Sequence, residues 1–132
     1  MKLKKTIILQ SLFFAATVIS TGTITAQSEL LQKTRLAKLE IYPEHLIEYK
    51  VALEEQARAA VNQEPGVLTL YAVFEKEKPT HLTILEIYVN EEAYQKHIKT
   101  PHFLKYKNGT LKMVKSLELI EVDPLIPELK IK

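Results

Sequence analysis

The chain has 132 residues, which suits one domain rather than two. Its 46% hydrophobic and 26% charged residues exclude a disordered or collagen-like chain, and the absence of Cys excludes disulfides, zinc ribbons, iron–sulfur clusters and a thiol nucleophile. The formal net charge is +2, but Lys2, Lys4 and Lys5 lie in a segment that we expect to be removed. Without them 15 basic residues face 16 acidic ones, so a broad basic surface for nucleic acid is not indicated.

Residues 1–26 have the pattern of a secretory signal peptide. Three lysines precede an apolar stretch over residues 7–19, and small polar residues then lead to Ala26, after which we expect cleavage. The apolar stretch is shorter than the roughly 20 residues that span a bilayer. We therefore predict an exported protein, periplasmic or secreted, with no membrane attachment after cleavage. A retained anchor is the alternative, because the bulky Ile24 lies where cleavage prefers a small residue.

The first half of the mature chain predicts a strand, a helix and a hairpin. Residues 34–42 read as a strand with Leu39 and Ile41 on one face. Pro43 suits the first turn of a helix, which runs to about Glu64 before the Pro-Gly pair at 65–66 stops it. The apolar residues of this helix recur at steps of three and four, which makes one stripe: Leu46, Tyr49, Leu53, Ala57, Ala60 and Val61.

Two apolar runs, Val67 to Glu75 and His81 to Val89, flank a charged five-residue turn and predict a β-hairpin. Neither run alternates cleanly, which indicates a sheet that is covered on both faces. A chain this short can cover one face with its own helices. A second copy is the simplest cover for the other face, so we predict a homodimer.

The second half predicts two short helices and a last strand. Asn90 is a good N-cap, and Thr100 can cap a second helix that begins with Pro101 and whose inner side extends to Val114. Residues 116–122 follow as a strand. The order is βαββαβ, so the predicted fold is α+β and ferredoxin-like, with an antiparallel sheet and its helices on one face.

The predicted domain covers residues 27–122, and a tail over residues 123–132 follows it. This tail carries four large aliphatic residues between and after two prolines, which is too apolar for a free terminus. We expect it to pack on the partner subunit.

Three residues could exchange protons with a substrate. Glu86 is a carboxylate inside an apolar strand, either as an acid or base in a pocket or as one half of a buried ion pair. An unperturbed imidazole has a pKa of about 6.5 and can accept a phenolic proton at neutral pH. His97 and His102 are therefore candidate bases, although both could instead be structural. Five residues turn about 140° on an unbroken helix, so this pair does not have the spacing of a metal-binding pair and no metal site is expected.

Four aromatic residues could line a pocket for a flat ring, or could belong to the core: Tyr71, Tyr88, Phe103 and Tyr106. Arg35 is expected at the surface, with the anchoring of an anionic substrate as its alternative role.

The most specific pattern is Glu86-Ile87-Tyr88, a His eleven residues after the Glu, and then Thr100-Pro101-His102-Phe103. In this pattern the sequence resembles the antibiotic biosynthesis monooxygenase family, small dimeric α+β barrels, over residues 35–122. Tyr88 stands where the family usually has Trp. The chain has no Trp and no Asn in residues 34–42, which argues against the haem-degrading branch of the family.

This resemblance implies a monooxygenase that uses dioxygen without flavin, haem or metal and acts on quinols or related phenolic molecules. His97, Glu86 and His102 would be the catalytic candidates, and the four aromatic residues would bind the substrate. Two other functions remain open on the same scaffold. One is a non-catalytic periplasmic protein that binds a small hydrophobic ligand, and the other is an isomerase.

Overall fold

A computed structural model describes residues 31–128 of the chain. The predicted export signal and the last four residues of the predicted tail lie outside these described residues. Within them, the helices are all too short or too polar to cross a membrane.

Residues 31–128 form four strands and three α-helices in the predicted order. They are β1 (Lys33–Ile41), a 3-10 turn (Pro43–His45), α1 (Leu46–Gln63), β2 (Val67–Phe74), β3 (His81–Tyr88), α2 (Glu91–His97), α3 (Pro101–Thr110) and β4 (Val114–Val122). The strands form one sheet in the order β2-β3-β1-β4, and every neighbouring pair is antiparallel. The α+β, ferredoxin-like fold is therefore confirmed.

Short polar caps fix where the last two helices begin. The Asn90 side chain accepts a hydrogen bond from the Ala93 amide at 2.9 Å, and the Thr100 hydroxyl accepts one from the Phe103 amide at 3.3 Å. Because each cap satisfies an amide that the first helical turn leaves free, α2 and α3 are separate helices with a bend between them. This bend determines how the side chains of His97 and His102 are placed relative to each other.

The end of α3 differs from the prediction. The helix stops at Thr110, and Val114 already belongs to β4. The reason is tertiary, because the Tyr42 amide donates a 2.9 Å hydrogen bond to the Met113 carbonyl and draws this segment to the end of β1.

The inner face of the sheet packs against the helices. Ala37, Leu39 and Ile41 of β1 are buried there with Tyr49 and Leu53 of α1. The buried stripe of α1 consists of Tyr49, Leu53, Gln56 and Ala60, whereas the predicted member Val61 is 46% exposed. A polar side chain, Gln56, thus occupies the centre of a stripe that was predicted to be apolar.

The outer face of the sheet is also partly apolar. Tyr71, Leu85, Leu36 and Ile120 are consecutive cross-strand partners, so one apolar row crosses all four strands. Leu36, Leu85 and Ile120 are half-buried, and Tyr71 is 65% exposed. This row is the surface on which the homodimer prediction depends.

Candidate functional site

A cavity of about 520 Å³ lies between the inner face of the sheet and the helices. Most of its wall is apolar. Six of these side chains are Ala37, Leu39, Leu70, Ala72, Ile84 and Phe103. Such a space suits a flat hydrophobic ring, provided that a few polar groups fix the orientation of the ring.

The first polar group in the wall is an ion pair between Arg35 and Glu86. These residues are directly opposite each other on β1 and β3, and both are buried. Glu86 Oε2 accepts hydrogen bonds from Arg35 Nε at 3.1 Å and from Arg35 Nη2 at 2.7 Å. Burial acts to lower the pKa of Arg35, but the neighbouring carboxylate outweighs it and raises this pKa above the ordinary value.

Two tyrosines complete this polar cluster. The Tyr88 hydroxyl donates to Glu86 Oε2 at 3.0 Å, and Arg35 Nη1 donates to the Tyr94 hydroxyl at 2.9 Å. Burial, together with the Glu86 charge, raises the pKa of Tyr88 far above its ordinary value. Tyr88 therefore stays protonated at neutral pH and acts as a hydrogen-bond donor.

His97 lies in the cavity wall and is 1% exposed. Its Nδ1 is 2.9 Å from a carboxylate oxygen of Glu64, and its Nε2 is 3.2 Å from the amide nitrogen of Gln56. Because the carboxylate can only accept, Nδ1 carries the proton in the neutral ring and Nε2 is the atom with the free electron pair. The ring is therefore oriented as a proton acceptor, with the carboxylate behind it.

His102 contacts the same carboxylate from the other side, with its Nε2 2.5 Å from Glu64 Oε1. It lines a separate groove between α1 and α3, and not the cavity. A separation of five residues predicts that the two histidines lie on different faces of one unbroken helix. The bend between α2 and α3 overturns this prediction, because it lets both rings reach Glu64.

The aromatic candidates have different positions. Phe103 and Tyr106 line the cavity, whereas Tyr88 is not part of its wall and is buried next to Glu86. Tyr71 does not line the cavity, contrary to expectation. It is on the outer face of the sheet, since it pairs with Leu85, whose side chain points away from the helices.

The sequence-based prediction missed or misplaced four polar residues of the site. Arg35 was expected at the surface, but it shares strand parity with Leu39 and Ile41, and this parity could have placed it inside. Gln56 is seven residues after Tyr49 on the buried stripe of α1, which is also a readable signal. Glu64 and Tyr94 carried no comparable signal, because their roles depend on neighbours from distant parts of the chain.

A buried and a half-buried phenol join two helices at the cavity. The hydroxyls of Tyr49 on α1 and Tyr106 on α3 are 2.6 Å apart. Burial raises the pKa of both, as it does for Tyr88.

The raised pKa values of these tyrosines predict a loss of stability at high pH. Below pH about 10 the tyrosines are protonated in both states, so their contribution is constant. Above it the unfolded chain releases protons that the folded protein retains, and the free energy of unfolding falls by up to about 1.4 kcal/mol per pH unit for each tyrosine. Urea unfolding at pH 8 and pH 11 measures this fall. Tyr49→Phe should reduce it, whereas Tyr71→Phe at the exposed position should leave it unchanged.

Comparison with known proteins identifies the family. The sequence model described as "Antibiotic biosynthesis monooxygenase" matches residues 34–109, which is more than half of the chain. The chain belongs to the antibiotic biosynthesis monooxygenase family. The match contains Arg35, Glu64, Glu86 and both histidines, whereas the part of the cavity wall from Thr110 to Leu119 follows the matched residues.

Solved structures agree with this assignment. One from Bacteroides thetaiotaomicron, named a "putative antibiotic biosynthesis monooxygenase", is 57% identical, with a TM-score of 0.76 over 77% of this chain and 97% of that chain. One from Lactobacillus acidophilus, named a "putative monooxygenase", is 26% identical, with a TM-score of 0.67 over 73% of this chain and 52% of that chain. One from Nitrosomonas europaea is 15% identical, with a TM-score of 0.68 over 73% of this chain and 92% of that chain, and it supports the fold alone. No curated protein matches the chain.

Proposed function

We propose that this family member is a cofactor-independent monooxygenase that acts on quinols or related phenolic molecules with dioxygen. The observation that carries the proposal is the apolar cavity of about 520 Å³ with an imidazole and an Arg–Glu pair in its wall. A ring-shaped phenol needs both an apolar container and a base, and the cavity offers the two together.

His97 is the proposed base. Its Nε2 faces Gln56 at 3.2 Å, a long hydrogen bond that a phenolic hydroxyl could replace. When Nε2 takes the phenolic proton, the ring becomes positive while Glu64 still accepts from Nδ1. The carboxylate would stabilise this charged ring and keep its orientation, as an acidic partner does for other catalytic histidines.

The Arg35–Glu86 pair would position the substrate rather than accept a proton. Glu86 Oε2 already accepts three hydrogen bonds from Arg35 and Tyr88. The Tyr94 hydroxyl, which accepts from Arg35, can donate its own proton to an oxygen on the ring. A donor placed in this way would stabilise the negative charge that develops on the substrate.

The substrate itself supplies the electrons for dioxygen. A phenolate can pass one electron to dioxygen, and recombination of the radical pair forms a carbon–oxygen bond. With menadiol the balanced outcome is a hydroxylated naphthoquinone, in which one oxygen atom enters the ring, while the other leaves as water with two hydrogens from the substrate. The protein contributes the base, the donor and the exclusion of water.

Two other functions use the same cavity. A binding protein would hold a quinone without consuming oxygen, and an isomerase would move a proton next to a carbonyl without oxygen. A buried proton acceptor with a carboxylate partner at His97 favours an enzyme over ligand storage, which does not need a base. The family to which the chain belongs favours the monooxygenase over the isomerase.

An oxygen-electrode assay with menadiol separates these functions. We expect oxygen uptake well above autoxidation, together with a hydroxylated product by mass spectrometry. Quinone binding without uptake would indicate the binding protein, and substrate conversion under argon would indicate the isomerase. Either result would contradict the monooxygenase.

We also propose that the protein is an exported homodimer. The lysine-rich start and apolar stretch of residues 1–26 support export, and N-terminal sequencing of the protein from the periplasm or medium would test cleavage after Ala26. The apolar row on the outer face of the sheet supports pairing, because a second copy would remove it from water. The tail after residue 122 carries the exposed Leu125 and would extend this contact.

The homodimer gives a direct mutational test. Light scattering should return twice the chain mass for the natural protein and a shift toward the monomer for Tyr71→Lys, which places a charge in the apolar row. Ile47→Lys is the matched control, since Ile47 is 81% exposed on α1 away from the sheet. A monomeric natural protein, or equal dissociation in both variants, would contradict the proposed interface.

A further inference from the structure

We propose that Glu64, His97 and His102 form a binding site for a divalent transition-metal ion such as Zn²⁺. Three separate elements supply these residues: the end of α1, the last residue of α2 and the second residue of α3. One ligand atom from each residue lies within 4.8 Å of the other two. This inference goes beyond the monooxygenase proposal, which needs no metal.

The distances are close to those of a metal-bound trio. Glu64 Oε1 is 2.9 Å from His97 Nδ1 and 2.5 Å from His102 Nε2. Bonds of about 2.0–2.2 Å to a metal would separate these ligand atoms by about 3–3.5 Å. The Glu64 oxygen would therefore move away from each ring by no more than about 1 Å. The two ring nitrogens, which lie within 4.8 Å of each other, would settle at the same separation of about 3–3.5 Å.

The donor set selects the class of ion. Two imidazole nitrogens and one carboxylate oxygen suit zinc, iron, cobalt or nickel, whereas calcium and magnesium prefer oxygen ligands. Three protein ligands also leave a coordination position for water. An ion can enter from the groove between α1 and α3, because the side chains of His102 and Glu64 retain 18% and 14% exposure.

Gln56 supplies the outer contact that such a site requires. A metal-binding histidine usually donates its second ring N–H to a neighbour. If a metal takes the Nδ1 electron pair of His97, the proton moves to Nε2, where it faces the buried Gln56 amide. Rotation of this amide by half a turn presents its oxygen as the acceptor, so the same residue serves the metal-free and the metal-bound ring.

Metal binding would have two consequences. It would fasten α1 to the bend between α2 and α3, and it would place the proton on the His97 nitrogen that the proposed mechanism needs free. The second consequence depends on the proposed function: Zn²⁺ should then suppress oxygen uptake.

The test measures metal binding without substrate. The full chain is stripped with a chelator, then titrated with Zn²⁺ by calorimetry and with Co²⁺ by visible absorption. We expect one ion per chain, d–d bands in the cobalt spectrum, and a higher melting temperature with Zn²⁺. His102→Ala and Glu64→Gln should each weaken binding at least tenfold, whereas His45→Ala, which removes an imidazole far from the cluster, should not.

Three outcomes would overturn the site: no binding below about 100 μM Zn²⁺, equal binding by His102→Ala and the natural protein, or equal loss in His45→Ala. Each would leave the trio as a hydrogen-bonded cluster in which both rings donate to Glu64. His102→Ala is a suitable variant because the His102 side chain is partly exposed. The melting temperature of this variant without metal shows whether the protein folds. Metal binding without any oxygen uptake would support the site and contradict only the proposed function.

Discussion

Replacing Glu86 with leucine is expected to lower the free energy of unfolding by about 3–5 kcal/mol, because Arg35 would keep its charge inside the protein without a partner. Both residues are buried, and two hydrogen bonds join them across neighbouring strands. The Tyr88 hydroxyl would lose its acceptor as well. Urea unfolding of the natural protein and of Glu86→Leu measures the difference.

A double variant tests whether the unpaired charge of Arg35 causes this loss of stability. Arg35→Met combined with Glu86→Leu removes both charges, so it should be more stable than Glu86→Leu alone. The matched control is Glu54→Leu on the surface of α1, where the pair with Arg58 is exposed and the change should stay below about 1 kcal/mol. Arg35→Met alone completes the cycle. If the losses of Glu86→Leu and Arg35→Met simply add in the double variant, the pair is not coupled and this explanation fails.

Replacing His97 with glutamine is expected to lower the oxygen-uptake rate by about 10²- to 10⁴-fold, if the protein is the proposed monooxygenase. Glutamine can still form hydrogen bonds with Gln56 and Glu64, but it cannot accept a proton at neutral pH. We therefore expect kcat to fall while quinone binding changes little. Oxygen-electrode rates and quinone titrations on the same protein preparation give both quantities.

The control for this variant is His45→Gln, which replaces a histidine in the 3-10 turn outside the cavity. It should retain the natural rate. Melting temperatures of both variants show whether they fold. A folded His97→Gln protein with the natural rate would remove His97 from the mechanism and leave the base to be found among other groups.

Local patterns were sufficient to predict the fold. Pro43, Asn90 and Thr100 mark helix starts through their own backbone and side-chain chemistry, and the structure places helical turns directly after each of them. The hairpin and the βαββαβ order also depend on neighbours in sequence. Local patterns did not predict the end of α3, because the Met113 carbonyl accepts a hydrogen bond from the distant Tyr42 amide and Leu111–Met113 leave the helix.

The residues that could take part in chemistry are visible in the sequence, namely a carboxylate in an apolar strand and two histidines near Pro101. Their contacts became known only from the folded chain. Strand register placed Arg35 opposite Glu86, and the bend after α2 brought His97 and His102 to the same Glu64 oxygen. A hydrogen bond or an ion pair depends on distance in space, whereas these partners are between 33 and 51 residues apart in the chain.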